Sequence, residues 1–300
     1  MVSRPDTRVK TAAPMAQGGP ASGILVPERA HMTELPHTVA PWMRIARHTA
    51  AMGATLTIWT SGPAIAQAQR GAVQPESPQA AAPIDLTGYW VSVVTEDWRW
   101  RMLTPRKGDY ASVPINNEAR RVADSWDPTK DEREGSACKA YGAPAIMRVP
   151  GRAHISWDTL KTLKIELDAG TQTRVFHFGD TQPPAGVQSW QGYSMAMWEI
   201  AGGGRAGAVG AVAGPRYGSL KVVTTRLKPG YLRKNGVPYS ENAVVTEYYD
   251  RHSEQNGDEW FTVTTTVEDG KYLIQPFITS SSFKKEPDGS KWRPTTCAAR

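Results

Sequence analysis

The feature that most constrains this fold is a succession of short β-branched and aromatic runs in the second half of the chain. Turn residues such as Asp168-Ala169-Gly170 and Glu268-Asp269-Gly270 separate them. Val, Ile, Thr, Tyr and Trp favour strands, whereas Gly and Asp favour turns. Short links join antiparallel neighbours, and the runs lack the intervening helices that parallel βαβ units require. The runs cover residues 152–158, 162–169, 171–178, 189–200, 219–227, 243–252, 259–269 and 271–283.

A further strand is predicted over 85–102, where the sequence reads DLTGYWVSVVTEDWRWRM. Side chains alternate along a strand, so Trp98 and Trp100 would share one face and Arg99 and Arg101 the other. Because an unpaired buried arginine is costly, we expect the tryptophans inside and the arginines outside. The reverse orientation would make Arg99 and Arg101 an anion site.

About nine strands must close on themselves or stack to protect their edges. We therefore predict that residues 85–300 form one all-β domain, an antiparallel meander of about nine strands closed as a barrel. A β-sandwich is the alternative. Apolar residues at helical spacing predict one short helix within 115–126, and the glycine-rich segment 201–218 is predicted to be a loop at one end of the barrel.

The N-terminal residues are predicted to lie outside this domain. Residues 43–66 contain a basic start, an apolar stretch and a small-residue end at Ala64-Ile65-Ala66, which is the order of a secretory signal peptide. We interpret residues 1–42 as a leader before the true initiator, and 67–84, rich in Gln, Pro and Ala, as a flexible linker. The protein is thus predicted to be exported to the periplasm or beyond, with no transmembrane span in its mature part.

Charge and cysteine content exclude several classes of function. The net charge is +6, and bases alternate with acids along the chain, so no nucleic-acid partner is predicted. The two cysteines, Cys138 and Cys297, are predicted to form a disulfide, with two unpaired core thiols as the alternative. The sequence has no Cys/His cluster, phosphate-binding loop, dinucleotide fingerprint or serine-hydrolase elbow, so we predict no metal and no cofactor.

Titratable side chains on the strands are candidates for proton transfer. Consecutive strands can bring His154 and Glu166 onto one surface, together with His177 or Arg174, and a histidine beside a carboxylate suits acid–base chemistry. Glu247 is predicted to face inward, either as an acid or paired with an arginine such as Arg99, Arg101 or Arg226. A solvated sheet face is the alternative for the histidines. The candidate catalytic residues are His154, Glu166, Glu247 and His177.

Tryptophan outnumbers phenylalanine, eleven to five. Indole offers a flat face and one donor, which suits either an aromatic ligand or a core. The candidate ligand contacts are Trp190, Trp198, Tyr193, Arg99 and Arg101.

The tripeptide Gly88-Tyr89-Trp90, at the head of the first strand, resembles the G-x-W start of lipocalin-like barrels, and the whole chain resembles a group of exported β-rich bacterial proteins. The lipocalin resemblance implies an apolar cavity with a tryptophan, Trp90, near its closed end. We therefore expect a barrel that binds a small apolar or aromatic ligand. The alternatives are a cofactor-independent lyase, isomerase, cyclase or hydrolase, and a structural protein of the envelope.

Overall fold

The computed structural model describes residues 76–179, 182–183, 185–186, 188–200 and 217–300. The predicted leader and signal peptide, and residues 201–216 of the predicted loop, lie outside the described residues. The strands are β1 (Gly88–Val93), β2 (Arg152–Thr159), β3 (Thr162–Leu167), β4 (Gln172–Phe178), β5 (Tyr193–Ile200), β6 (Gly218–Thr225), β7 (Gly230–Arg233), β8 (Val237–Tyr239), β9 (Val244–Ser253), β10 (Glu259–Glu268) and β11 (Phe277–Glu286).

Nine of these strands close into a barrel, in the order β1-β11-β10-β9-β6-β5-β4-β3-β2, which confirms the predicted all-β barrel. The predicted antiparallel meander was wrong at one position, because β4 and β5 pair in parallel. Fourteen residues separate these two strands, and a link of that length can return the chain to the end from which β4 started. Strands β7 and β8 form a separate hairpin between β6 and β9.

Short helices and the β7–β8 hairpin cover one end of the barrel, and we call this layer the cap. Only one helix was predicted here. Asn116 caps α2, since its side chain accepts a hydrogen bond from the Ala119 amide at 2.9 Å. None of the described helices is long and apolar enough to cross a membrane. The helices of the cap are α1 (Trp98–Arg101), α2 (Asn117–Asp124), α3 (Pro128–Arg133), a 3₁₀ helix (Ala137–Tyr141) and α4 (Ala143–Ile146).

The predicted strand over 85–102 was too long, because its last residues form α1. The strand ends at Val93, and Asp97, in a left-handed conformation with φ of 52°, directly precedes the helix. Alternation with a period of two therefore does not apply there. The predicted orientation was wrong for Trp98, which is 64% exposed, and for Arg101, which is buried, whereas Arg99 is exposed as predicted.

Inside the barrel, aromatic side chains from several strands form one core. Trp90, Phe176, Tyr249, Phe261 and Phe283 are almost completely buried, and their rings contact one another. The Trp90 indole is a core side chain. These residues meet across the barrel, and a small cavity lies in the cap, lined by none of them.

Residues 76–84, the described part of the predicted linker, contact the end of the barrel opposite the cap. The Trp198 indole donates a hydrogen bond to the Pro78 carbonyl at 2.7 Å. Its ring also packs against Trp157 and Phe178, with centroid distances of 6.5 and 5.3 Å. Aromatic packing therefore covers this end of the barrel.

A disulfide joins Cys138 to Cys297, as predicted, with their Cα atoms 5.1 Å apart. It ties the C-terminal segment to the 3₁₀ helix of the cap. The same segment is held by the Thr295 amide, which donates to the Asp168 carbonyl at 2.8 Å.

Candidate functional site

Three arginines are buried in the cap around a small cavity. Arg101 of α1, Arg148 between α4 and β2, and Arg233 of β7 line a volume of about 40 Å³. Their exposed fractions are 8, 7 and 4%. A cavity needs a volume on the order of 10–15 Å³ to hold one water molecule, so this cavity has room for a group of a few atoms. We call this site the arginine pocket.

Two of these arginines, Arg101 and Arg148, form ion pairs, and Arg101 also donates a hydrogen bond to a backbone carbonyl. Arg101 Nε donates to the Arg148 carbonyl at 2.9 Å, and Arg101 Nη1 pairs with Glu96. Arg148 Nη2 pairs with Asp97 at 2.7 Å. These two cations are therefore compensated by the acidic residues just before α1.

Arg233 has no such partner, because no carboxylate in the described part of the chain lies within ion-pair distance of it. Its Nη1 donates to the Ala111 carbonyl at 2.6 Å, and its guanidinium lies 4.8 Å from the centre of the Trp100 ring. Its Nε and Nη2 have no hydrogen-bond partner among the described residues. These two nitrogens lie on the same edge of the guanidinium. Such an edge can donate two parallel hydrogen bonds to the two oxygens of an oxyanion.

The electrostatics of the arginine pocket favour an anion. Arg101 Nη2 and Arg148 Nε are also buried without a described partner, although buried donors are nearly always satisfied in folded proteins. Burial lowers the pKa of Arg101 and of Arg148. Burial, followed by the repulsion of Arg148, lowers the pKa of Arg233 to about 10. All three remain charged at neutral pH, and an anion would relieve the cost of burying that charge.

The rest of the arginine pocket is mainly apolar. Trp100, Leu103, Val149 and Leu232 line it, and Leu103 is 71% exposed. A fourth cation, Lys234, also lines the pocket, with its Nζ 4.8 Å from the centre of the Tyr141 ring. The site thus combines buried cations with apolar side chains that reach solvent.

Of the two arginines predicted to contact a ligand, only Arg101 lies in this site. Arg99 is exposed and pairs with Asp109 at 2.9 Å. Sequence reasoning missed Arg148 and Arg233. The available signal is that each follows two apolar residues, although Lys234 comes directly after Arg233.

The structure brings His154 and Glu166 together on the outer face of the barrel. They are cross-strand partners on β2 and β3, with His154 Nδ1 3.0 Å from Glu166 Oε2. The imidazole stacks on Tyr89, with ring centroids 4.2 Å apart. Both side chains are partly exposed, and their catalytic role stays a prediction.

His177 and Tyr193 also meet on the outer face, where their rings stack 4.6 Å apart. Burial lowers the pKa of His177. A lowered pKa means that folding favours the neutral ring. The corresponding stability is therefore present above the unfolded-state pKa of about 6.5 and is lost as the pH falls from there through the lower folded-state pKa.

We therefore expect the free energy of unfolding to fall more between pH 7.5 and pH 5.5 in the wild-type protein than in His177→Gln. Urea denaturation at both pH values measures this difference, and an NMR titration of the ring measures the pKa itself. Equal losses in the two proteins would contradict the prediction.

Glu247 faces inward as predicted. Its partner is Arg174, which was not among the arginines named from the sequence as partners for Glu247. Both side chains are 0% exposed, with Nη1–Oε1 and Nη2–Oε2 distances of 2.8 and 2.6 Å. Burial lowers the pKa of Arg174, but the attraction of Glu247 outweighs burial and leaves that pKa raised. Tyr249 and Thr224 also contact the guanidinium, at 3.3 Å each. This network binds β4 to β6 and β9 across the barrel.

Trp190 and Trp198, predicted to contact a ligand, lie at different places in the structure. Trp190 precedes β5, where its indole donates to the Pro229 carbonyl at 3.2 Å and Lys228 Nζ lies 4.6 Å from its ring centre. Trp198 is near the other end of β5, against Pro78. Neither lines the arginine pocket.

No protein-family model matches this chain, and comparisons with curated proteins and with solved structures find no match either. The functional argument therefore depends on the described residues alone. Among the groups they form, the arginine pocket is the one in which several buried arginine nitrogens lack a described partner and the arginines line a cavity.

Proposed function

We propose that this protein binds a small molecule through an acidic group held in the arginine pocket. The observation that carries the proposal is the buried edge of Arg233, whose Nε and Nη2 have no described partner. An oxyanion would accept both hydrogen bonds and compensate the charge. Hydrogen bonds to charged groups contribute about 1.5–3 kcal/mol each when both partners are well placed.

We also propose that the protein acts outside the cytosol. The disulfide between Cys138 and Cys297 supports this, because disulfides persist in oxidising compartments. The signal-like order of residues 43–66 is a second argument for export. The ligand would then be a molecule of the periplasm or the surroundings.

The variant Arg233→Met tests the proposal, because methionine keeps an apolar stem but removes the charge and the donors. We expect benzoate, acetate, phosphate or sulfate to bind the wild-type protein in calorimetric titrations, and Arg233→Met to bind more than about tenfold more weakly. Without anion, we expect the variant to be more stable by about 1–3 kcal/mol, since it no longer buries an uncompensated cation. Added anion should raise the melting temperature of the wild-type protein only.

Arg251→Met is the matched control. It makes the same change at the opposite end of the barrel, where Arg251 pairs with Glu259. It should bind anions as the wild-type protein does. If no anion of the panel binds the wild-type protein, or if Arg233→Met and Arg251→Met bind equally well, the arginine pocket is not a binding site.

A further inference from the structure

The charges in the arginine pocket indicate how many negative charges its ligand carries. Glu96 and Asp97 compensate Arg101 and Arg148, which leaves Arg233 as the one buried arginine of the pocket without a described carboxylate partner. Lys234 is only half-buried, and its ammonium lies over an aromatic ring. A single negative charge therefore balances the buried cluster.

The number of donors points to the same kind of group. Four buried nitrogens of the three arginines have no described partner: Arg101 Nη2, Arg148 Nε, and Arg233 Nε and Nη2. An ionised carboxylate has two oxygens with about four acceptor sites, and it matches the edge of a guanidinium bidentately. A phosphate brings at least one more oxygen and up to one more charge into a cavity of about 40 Å³.

The surroundings of the arginine pocket indicate what the carboxylate is attached to. Leu103 lines the pocket and is 71% exposed, and its neighbours Trp98 and Met102 are 64 and 57% exposed. Val149 and Leu232 line the same cavity, which is too small to hold more than the head of a ligand. An apolar body attached to that head would leave the cavity beside Leu103 and cover exposed apolar surface.

From this arrangement we infer that the ligand is a monocarboxylate with an apolar body, whose carboxylate lies against Arg233 and whose body lies on Leu103. This inference rests on the proposed function and goes beyond it by naming the chemical class of the ligand. It differs from the expectation for a lipocalin-like barrel, because the site is in the cap and not in the barrel interior.

Titration calorimetry with a matched ligand series tests the inference on the whole protein at pH 7, below any micellar concentration. We expect hexanoate to bind at least about tenfold more tightly than acetate, because each buried methylene contributes about two- to fourfold. Hexanol and hexyl phosphate should each bind at least about tenfold more weakly than hexanoate, since the first lacks the charge and the second has a larger, more highly charged head.

Two leucine variants locate the apolar body. Leu103→Ser should remove most of the gain from acetate to hexanoate, so that the ratio of the two affinities falls close to one. Leu160→Ser changes another exposed leucine, 62% exposed, between β2 and β3 at the opposite end of the barrel, and it should leave the whole series unchanged. Neither residue is buried, so both variants are expected to fold.

The possible outcomes separate the inference from the proposed function. If acetate and hexanoate bind equally, or if hexyl phosphate binds best, the protein still binds an anion but the inferred ligand class is wrong. If Leu103→Ser and Leu160→Ser reduce hexanoate binding equally, the position of the apolar body is wrong. If none of the anions binds, the proposed function fails with the inference.

Discussion

Replacing Arg174 by methionine is expected to destabilise the protein by about 3–5 kcal/mol, a large part of the stability of an ordinary domain. The substitution leaves the Glu247 carboxylate inside the barrel without its cation. Both residues are 0% exposed, so water does not compensate the loss. Urea denaturation followed by circular dichroism measures the change in the free energy of unfolding.

The double variant Arg174→Met/Glu247→Leu distinguishes the cost of an orphaned charge from the contribution of the ion pair. We expect it to recover most of the lost stability, because a buried pair replaced by apolar side chains is often neutral or better. Arg251→Met, which breaks the partly exposed pair with Glu259, should cost less than about 1 kcal/mol. If Arg174→Met costs no more than Arg251→Met, or if the double variant is as unstable as the single one, this account of the barrel interior is wrong.

Several strands could be predicted well from the sequence, because alternation is a local property. Runs ending in turn residues defined β9 and β10 to within a residue at each end, and the period of two put Arg174 on the face opposite His177. Side-chain alternation depends only on the backbone of the strand itself. It does not require knowledge of the neighbouring strand.

The partner of Glu247 could not be predicted in the same way. Arg174 is 73 residues away in sequence, on a strand that is not adjacent to β9 in the barrel. Their contact depends on the relative registers of β4, β5, β6 and β9, and on a parallel pair that the sequence did not indicate. Contacts that depend on several distant strands produce no periodic pattern in the sequence.

The arginine pocket was missed for a related reason. Its three arginines come from α1, from the residues before β2, and from β7, and only the closure of the cap brings them together. The strand predicted through Arg101 ends instead at Val93, and the positive φ of Asp97 just before α1 is a single-residue conformation that alternation does not reveal. The alternative weighed for Arg101, an inward-facing side chain, agrees with its burial.

Removing the disulfide with Cys138→Ala/Cys297→Ala is expected to lower the free energy of unfolding by up to about 5 kcal/mol. The bond joins residues 159 positions apart, and a cross-link over so long a segment strongly restricts the unfolded chain. We expect the folded barrel to remain, because the hydrogen bonds of Thr295 and Ala298 still hold the C-terminal segment. Urea denaturation of both proteins, with and without a reductant, measures the effect.

The reductant provides the internal control for this last prediction. It should destabilise the wild-type protein to about the level of the double alanine variant and leave that variant unchanged, because both treatments remove the same constraint from the unfolded chain. Anion binding should persist in the folded variant, since neither cysteine lines the arginine pocket. If the variant unfolds at the same urea concentration as the oxidised wild-type protein, the disulfide does not stabilise the fold. If the variant folds but loses anion binding, the bond instead acts by holding the cap in the geometry that the three arginines require.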